Sequence, residues 1–585
     1  MRTVNIAPFV LTLCVICSIS IIDCSKKPKK RADSRESYEY KDIATGGTLI
    51  IGVGSEPDAL NPLVALSKTG RDVISLVFRR LADINEDLES FSPQLAKSWS
   101  FADDGLSIEF DLRSDVLWHD GEKFTSKDVV FTYNMHKNPD VAWDGISYKE
   151  NITNVEYKND STAVFWFKKR TPKMLMDAVE GYIVPEHLLK DIDPKEIFSC
   201  DFNRNPVGAG PFRFKEWKNQ QYIKLEKNET YFIPEKPYID NVVFKVVPDN
   251  YNLFQQLLSY DIDYMEGIPP IDFVKLQNDW ESESADIRPV KYLGRQYDFI
   301  GWNLIDPEVY KDALPRLQAG EIEIDECFKP NNLFGSQKVR AALTMAIDRK
   351  RISEIVNNGL AVRMDGPVAP ILKEYDSAAN KIWDYDQPLA KRYLSDEGWG
   401  DEDGDGVLEK NGESFIFEMI SNSGDSRREH ALTLIQEQLK QIGVKMTPRV
   451  LEAGLLRRKL SQKDFDTVLI GWFVGLKMDF APLFHSGNIL SPFQFTSYSS
   501  SDFDEWEGIA KRTLDRDLSR QYWNRVSNLL SNDLPYTWLY YKFECSGIHK
   551  RFRGVTVDKR GALINVEDWW VPEEERIGRD RFTKR

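Results

Sequence analysis

The stretch from Leu106 to Val129 constrains its own conformation more tightly than any other part of this chain. Leu106, Ile108, Phe110 and Leu112 alternate with Ser107, Glu109, Asp111 and Arg113, the period-two pattern of a half-buried strand. Asp103-Asp104-Gly105 before it suits a hairpin turn whose last residue needs positive φ. After a second turn at Asp120-Gly121, Thr125 and Asp128 are spaced as a capping box, and Phe124 and Val129 as a hydrophobic staple. A helix is therefore expected to begin near Ser126. His119 reads as a turn residue of this scaffold rather than a ligand.

The pieces around this core form a longer pattern. They are Leu60-Asn61-Pro62, Ser92-Pro93-x-Leu95-Ala96-x-x-Trp99, Asp104-Gly105, Leu112-Arg113, His119-Asp120-Gly121 and Thr125-x-x-Asp128-Val129. Their order and spacing resemble the opening module of the bacterial extracellular solute-binding proteins of family 5, the oligopeptide-, dipeptide- and nickel-type receptors of ABC importers. A second block resembling the family runs from Val207 through Gly208-Ala209-Gly210-Pro211 to Trp217, then Ile223 to Asn228 and Tyr231-Phe232. A third runs from Asp298 to Asn303 and includes Val339 to Arg349. The likeness covers residues 47 to about 570.

That resemblance implies a mixed α/β, bilobal, periplasmic-binding-protein-like fold of type II (three-domain, cluster C) with a hinge-closing cleft. It implies a discontinuous lobe I (46–90, 200–296 and 541–585), an inserted domain II (91–199) and a lobe III (297–540), the hinge lying near 296 and 540. It also implies a monomer that captures a peptide or similar small solute and delivers it to a membrane permease driven by a separate ATPase, without catalysis. A surface adhesin or structural lipoprotein reusing the fold is a second class, and a hydrolase a third.

Length and composition agree with a multi-domain soluble body. The prior from 585 residues is about four domains of ~150, and 42% hydrophobic with 29% charged residues supplies large cores. A net charge of −15 excludes a nucleic-acid partner of the usual kind, because a phosphate backbone demands a basic face. At the N-terminus, Arg2 precedes an apolar run from Ile6 to Ile22, followed by Asp23-Cys24-Ser25. A run of this kind ending in cysteine resembles a bacterial lipoprotein export signal, which would make Cys24 the lipidated residue. Asp23 stands where a small residue is usual, and Lys26, Lys27, Lys29, Lys30 and Arg31 follow the run, so an uncleaved anchor stays open. Both place the body in the cell envelope, outside the cytoplasm, with residues 25–45 as a flexible tether. Of the body cysteines Cys200, Cys327 and Cys545, any two have the option of pairing in an oxidising compartment.

Catalytic signatures are sparse. Lys68-Thr69-Gly70 occurs without the serine-x-x-lysine that accompanies it in penicillin-recognising hydrolases. Gly208-x-Gly210 lacks the third glycine and the helix of a dinucleotide loop. The six histidines include no His-Glu-x-x-His. No cofactor is expected. Calcium is the one candidate metal, since Asp401, Asp403 and Asp405 with Gly406 match the first half of a calcium loop. Position twelve is Gly412, with Glu413 one place late, so a solvated acidic turn is the alternative.

In the family, the segment after Leu60-Asn61-Pro62 and the segment around Gly471-Trp472 face each other across the cleft. The resemblance therefore points to Val64, Ala65 and Leu66 on one wall and Trp472, Phe473 and Val474 on the other. An extended ligand would bind them by strand addition. Peptide receptors of this kind also carry an aspartate shortly after the glycine-tryptophan, for the ligand's α-ammonium group. Gly475 occupies that slot here and Lys477 lies close by; Asp479 either substitutes, if the loop reaches back, or caps the element containing Phe480 and Leu483.

Overall fold

The computed structural model describes residues 43–580. From Ala44 onward the chain forms one compact unit. An eleven-stranded mixed sheet runs through it. In spatial order its strands are Lys445–Leu451, Ile416–Asn422, Thr467–Phe473, Ile287–Trp302, Tyr536–His549, Tyr264–Glu266, Thr48–Val53, Asn241–Val246, Tyr222–Lys227 and Phe212–Lys218, with Ala361–Arg363 paired to the 536–549 strand. Strands 48–53 and 241–246 pair in parallel, and their near-continuous apolar runs suit burial on both faces.

Two long strands, neighbours within this sheet, occupy the chain positions expected to cross between lobes. Ile287–Trp302 and Tyr536–His549 pair antiparallel from Ile287↔His549 to Leu293↔Phe543, then again from Tyr297↔Tyr541 onward. Between these stretches Gly294, Arg295 and Gln296 stand against Lys542 alone, so the ladder is broken there. An irregularity of this kind bends a strand and re-aims its side chains. It falls beside the expected hinge at 296 and 540.

The inserted region has its own four-stranded antiparallel sheet, ordered Ala96–Phe101, Ser107–Leu112, Thr162–Phe167, Ile152–Asn159. Its core gathers Ile108, Phe110, Leu112, Trp118, Val129, Tyr133 and Phe165, with Leu81, Ala209, Tyr231 and Phe232 contributed from outside 91–199. The hairpin turns through Gly105 at φ +67°. The helix Ser126–Lys137 starts at Thr125, whose side chain accepts from Lys127 N while Asp128 Oδ2 accepts from Thr125 N at 2.8 Å. Phe124 and Val129 are both buried in that core.

His119 fastens this region to the Gly208–Gly210 segment. Its Nδ1 accepts from Gly208 N at 3.2 Å and its Nε2 lies 3.0 Å from the Gly210 carbonyl, which assigns the proton to Nε2. Burial pulls the imidazole down to about 4, so the ring is neutral in this role. The two glycines pack against a helix end: a Cβ on Gly208 would lie 1.9 Å from the Val77 carbonyl oxygen. Lys68-Thr69-Gly70 is the first turn of the helix Lys68–Val77, capped by Ser67.

Elsewhere, Phe212–Lys218 and Tyr222–Lys227 form the expected hairpin, with Gln220 at φ +56°. Helix Gln337–Ala346 begins after Ser336, although that hydroxyl makes no capping bond. Helix Ser426–Lys440 ends before Gly443, at φ +81°. Cys200, Cys327 and Cys545 are all unpaired thiols.

Candidate functional site

The strand Thr467–Phe473 has one fully paired edge and one partly open edge. It pairs with the crossing strand from Thr467↔Trp302 to Phe473↔Gln296. On its other side it pairs with Ile416–Asn422 only at Thr467 and Val468, helped by Ser421 Oγ donating to the Leu469 carbonyl. Among the described residues, Gly471, Trp472 and Phe473 have no strand partner on that side. Trp472 is half-buried, stacked near Phe299 and Phe495, with Nε1 donating to Tyr536 Oη at 3.3 Å. Phe473 is 55% exposed, and its ring lies 4.4 Å from the Arg295 guanidinium carbon. Val474 N donates to the Arg295 carbonyl at 2.7 Å.

A buried charge cluster explains the glycine before the tryptophan. Asp298 is fully buried and accepts from Arg428 Nη2 at 2.7 Å, with Lys542 Nζ at 3.3 Å. A Cβ on Gly471 would lie 2.3 Å from the Asp298 carboxylate and 2.6 Å from Arg428. Only glycine fits there. Burial pulls the Lys542 amine below its usual value, against the opposing pull of Asp298.

In the segment after Leu60-Asn61-Pro62 the backbone donors are already engaged. Val64 N and Ala65 N donate to the Asn61 carbonyl, and Leu66 N donates to Asp58 Oδ2 at 2.7 Å. Ala65 is buried and Leu66 is exposed. These residues offer a ligand side chains and carbonyls but no free amide.

The loop after Phe473 is held by two ion pairs. Lys477 Nζ lies 2.9 Å from Asp177 Oδ1 in the inserted region and 3.3 Å from the Ser147 carbonyl. Asp479 lies 2.8 Å from Lys511 Nζ and accepts from Ala481 N at 3.1 Å. Lys511 also pairs with the buried Glu507 at 3.2 Å. Gly475 is exposed.

Asp401, Asp403 and Asp405 are exposed and bring carboxylate oxygens within 4.8 Å of one another. Each accepts a backbone N–H of its own loop: Gly404 and Gly406 to Asp401, Asp405 to Asp403, Val407 to Asp405. Glu413, the nearest candidate for the missing bidentate ligand, accepts from Asn332 Nδ2 at 3.3 Å. Cys24 lies outside the described residues, and among these no helix is long and apolar enough to cross a membrane.

Sequence reasoning did not single out Arg295, Asp177 or the Asp298 cluster. The one available signal was a charged residue inside the apolar run Tyr297 to Trp302, since a buried aspartate requires partners.

Residues 90–488 match the family model of bacterial extracellular solute-binding proteins, family 5 (middle). The chain belongs to this family. The oligopeptide-binding protein AppA of Bacillus subtilis (strain 168) is 29% identical over 576 residues, covering 98% of this chain and 100% of that protein. The structure of AppA from Bacillus subtilis in complex with a nonapeptide superposes with a TM-score of 0.74 at 30% identity, over 90% of this chain and 99% of the other. NikZ from Campylobacter jejuni in complex with Ni(L-His) gives 0.72 at 27%, over 89% and 99%. The bilobal mixed α/β fold and the role of substrate-binding receptor expected from sequence follow from family membership. In this solute-binding protein, the half-open strand 467–473 lies beside the crossing strand Ile287–Trp302.

Proposed function

We propose that this protein captures peptides in the cleft between its halves and delivers them to an ABC permease powered by a separate ATPase. The partly open edge at Gly471-Trp472-Phe473 carries the reading. An extended peptide laid there would gain main-chain hydrogen bonds while its side chains stay loosely specified. The relative that binds oligopeptides, similar over nearly the whole chain, supports the same ligand class. Trp472 supplies a rigid aromatic wall and Phe473 an exposed one. Because the bound peptide touches both halves, it favours the closed form by its differential affinity for that form. The protein acts as a monomer in the envelope, held there by a lipid on Cys24 or by an uncleaved N-terminal anchor. It binds and releases its solute unchanged.

Calorimetry with a degenerate pentapeptide library tests this on protein beginning at Ala44, the first residue of the compact unit. Saturable binding that weakens in Trp472→Ala is expected. Absence of heat with the unsubstituted protein would overturn the peptide assignment.

A further inference from the structure

Four cations and two carboxylates meet where lobe I, the inserted region and the 473–477 loop come together. The carboxylates are each taken. Asp177 pairs with Lys477 at 2.9 Å, and Glu180 pairs with Arg80 at 3.3 Å. The buried Lys149 donates to the carbonyls of Asp177 at 2.8 Å and Glu180 at 2.6 Å, closing the carboxyl end of the helix Met174–Val179. Arg295 is left over. Among the described residues no carboxylate lies within ion-pair distance of its guanidinium and no side-chain hydrogen bond reaches it; it rests on the face of Phe473. Tyr148, Glu180, Tyr541 and Arg80 surround it, and burial pulls its guanidinium below the usual value.

A partly desolvated guanidinium without an anion is an unfavourable arrangement unless something completes it. Arg295 sits in the broken register of the crossing strands, where the regular pleat is interrupted. It adjoins Phe473, the last residue of the open edge, so one end of a strand added along 471–473 would arrive at it. We infer that Arg295 is the receptor for a carboxylate of the bound solute, taken in bidentate fashion as the halves close. This rests on the reading of the cleft as the solute site. A guanidinium fork matches a carboxylate from a peptide C-terminus or from an acidic side chain equally well, and the experiment separates the two sources.

Calorimetry would compare three degenerate pentapeptide libraries: free C-terminal acids, the C-terminal amides, and amides with a fixed central aspartate. Either the acids or the aspartate amides should bind at least tenfold more tightly than the plain amides, and Arg295→Gln should bring the tighter library down to the amides' affinity. A main-chain source raises the acids and leaves the aspartate library at the amide level; a side-chain source raises the aspartate library and leaves the acids at the amide level. Equal affinity of all three libraries would overturn the inference while leaving the peptide reading standing. If no library binds, the peptide reading falls and the carboxylate is judged alone, by thermal melting with succinate and citrate. An upward shift that Arg295→Gln abolishes would sustain it, and no shift with either acid would overturn it.

Discussion

Lys477 Nζ and Asp177 Oδ1, 2.9 Å apart, join the loop after the 467–473 strand to the inserted region, with the Asp177 side chain only 2% exposed. Burial raises the Asp177 carboxyl, and Lys477 opposes that rise. Replacing Lys477 by Met leaves the carboxylate buried without its cation, a loss of roughly 2–4 kcal/mol at pH 8. The sign with pH follows from the raised folded-state pKa. Below the usual carboxylate range Asp177 is protonated folded or unfolded and the loss is small; it grows as pH rises through the elevated folded value. Melting curves at pH 5 and pH 8 should therefore differ more for Lys477→Met than for the double variant with Asp177→Asn. Equal losses at both pH values would show that Asp177 does not feel Lys477.

Glu507 predicts a second pH dependence. Burial pushes it up to about 7, opposed by Lys511 and reinforced by Asp479. Between the usual glutamate range and about 7 the unfolded chain ionises while the folded one holds its proton, so this residue's contribution falls as pH rises and is lost above about 7. Glu507→Gln should stabilise the protein at pH 8 by roughly 1–3 kcal/mol and flatten the pH dependence of melting between pH 5 and 8. A destabilised Gln variant at pH 8 would mean that the Lys511 pair outweighs burial.

The hairpin 96–112, its turn at Gly105 and the helix start at Ser126 were legible because each is decided by residues within a few positions. The period-two pattern, a glycine at positive φ and the Thr125–Asp128 box suffice. The pairing of residues 287–302 with 536–549 was not legible, since no local pattern joins two segments so far apart in the chain. Arg295 was invisible because its isolation depends on a register break and on three other elements. The amides of Val64 to Leu66 are occupied because Asp58 and Asn61 fold back on them, which no spacing rule signals. Asp401, Asp403 and Asp405 do converge as the spacing suggested.

The slot for an α-ammonium partner supports a prediction about ligand chemistry. Gly475 offers no charge, Lys477 is paired with Asp177, and Asp479 is paired with Lys511. N-acetylated peptides should bind within about tenfold of free ones, a difference of ~1.4 kcal/mol. Calorimetry on a matched pair decides it. A far larger loss on acetylation, reproduced by Asp479→Asn, would give Asp479 the amine.

The acidic loop should be indifferent to calcium. Asp401, Asp403 and Asp405 already accept the loop's own N–H groups, and Glu413 bonds Asn332, while a calcium site needs six to eight oxygens. Millimolar calcium should leave the melting temperature unchanged, because only a ligand of the native state raises it. A rise that Asp403→Ala abolishes would establish the site.

Native mass spectrometry of gently purified full-length protein tests the central claim most directly. A receptor that closes over peptides should carry them, giving a ladder of masses above the bare chain that disappears on unfolding and releases peptides. The bare mass alone, unchanged after incubation with the pentapeptide acid library, would contradict a peptide-capturing cleft.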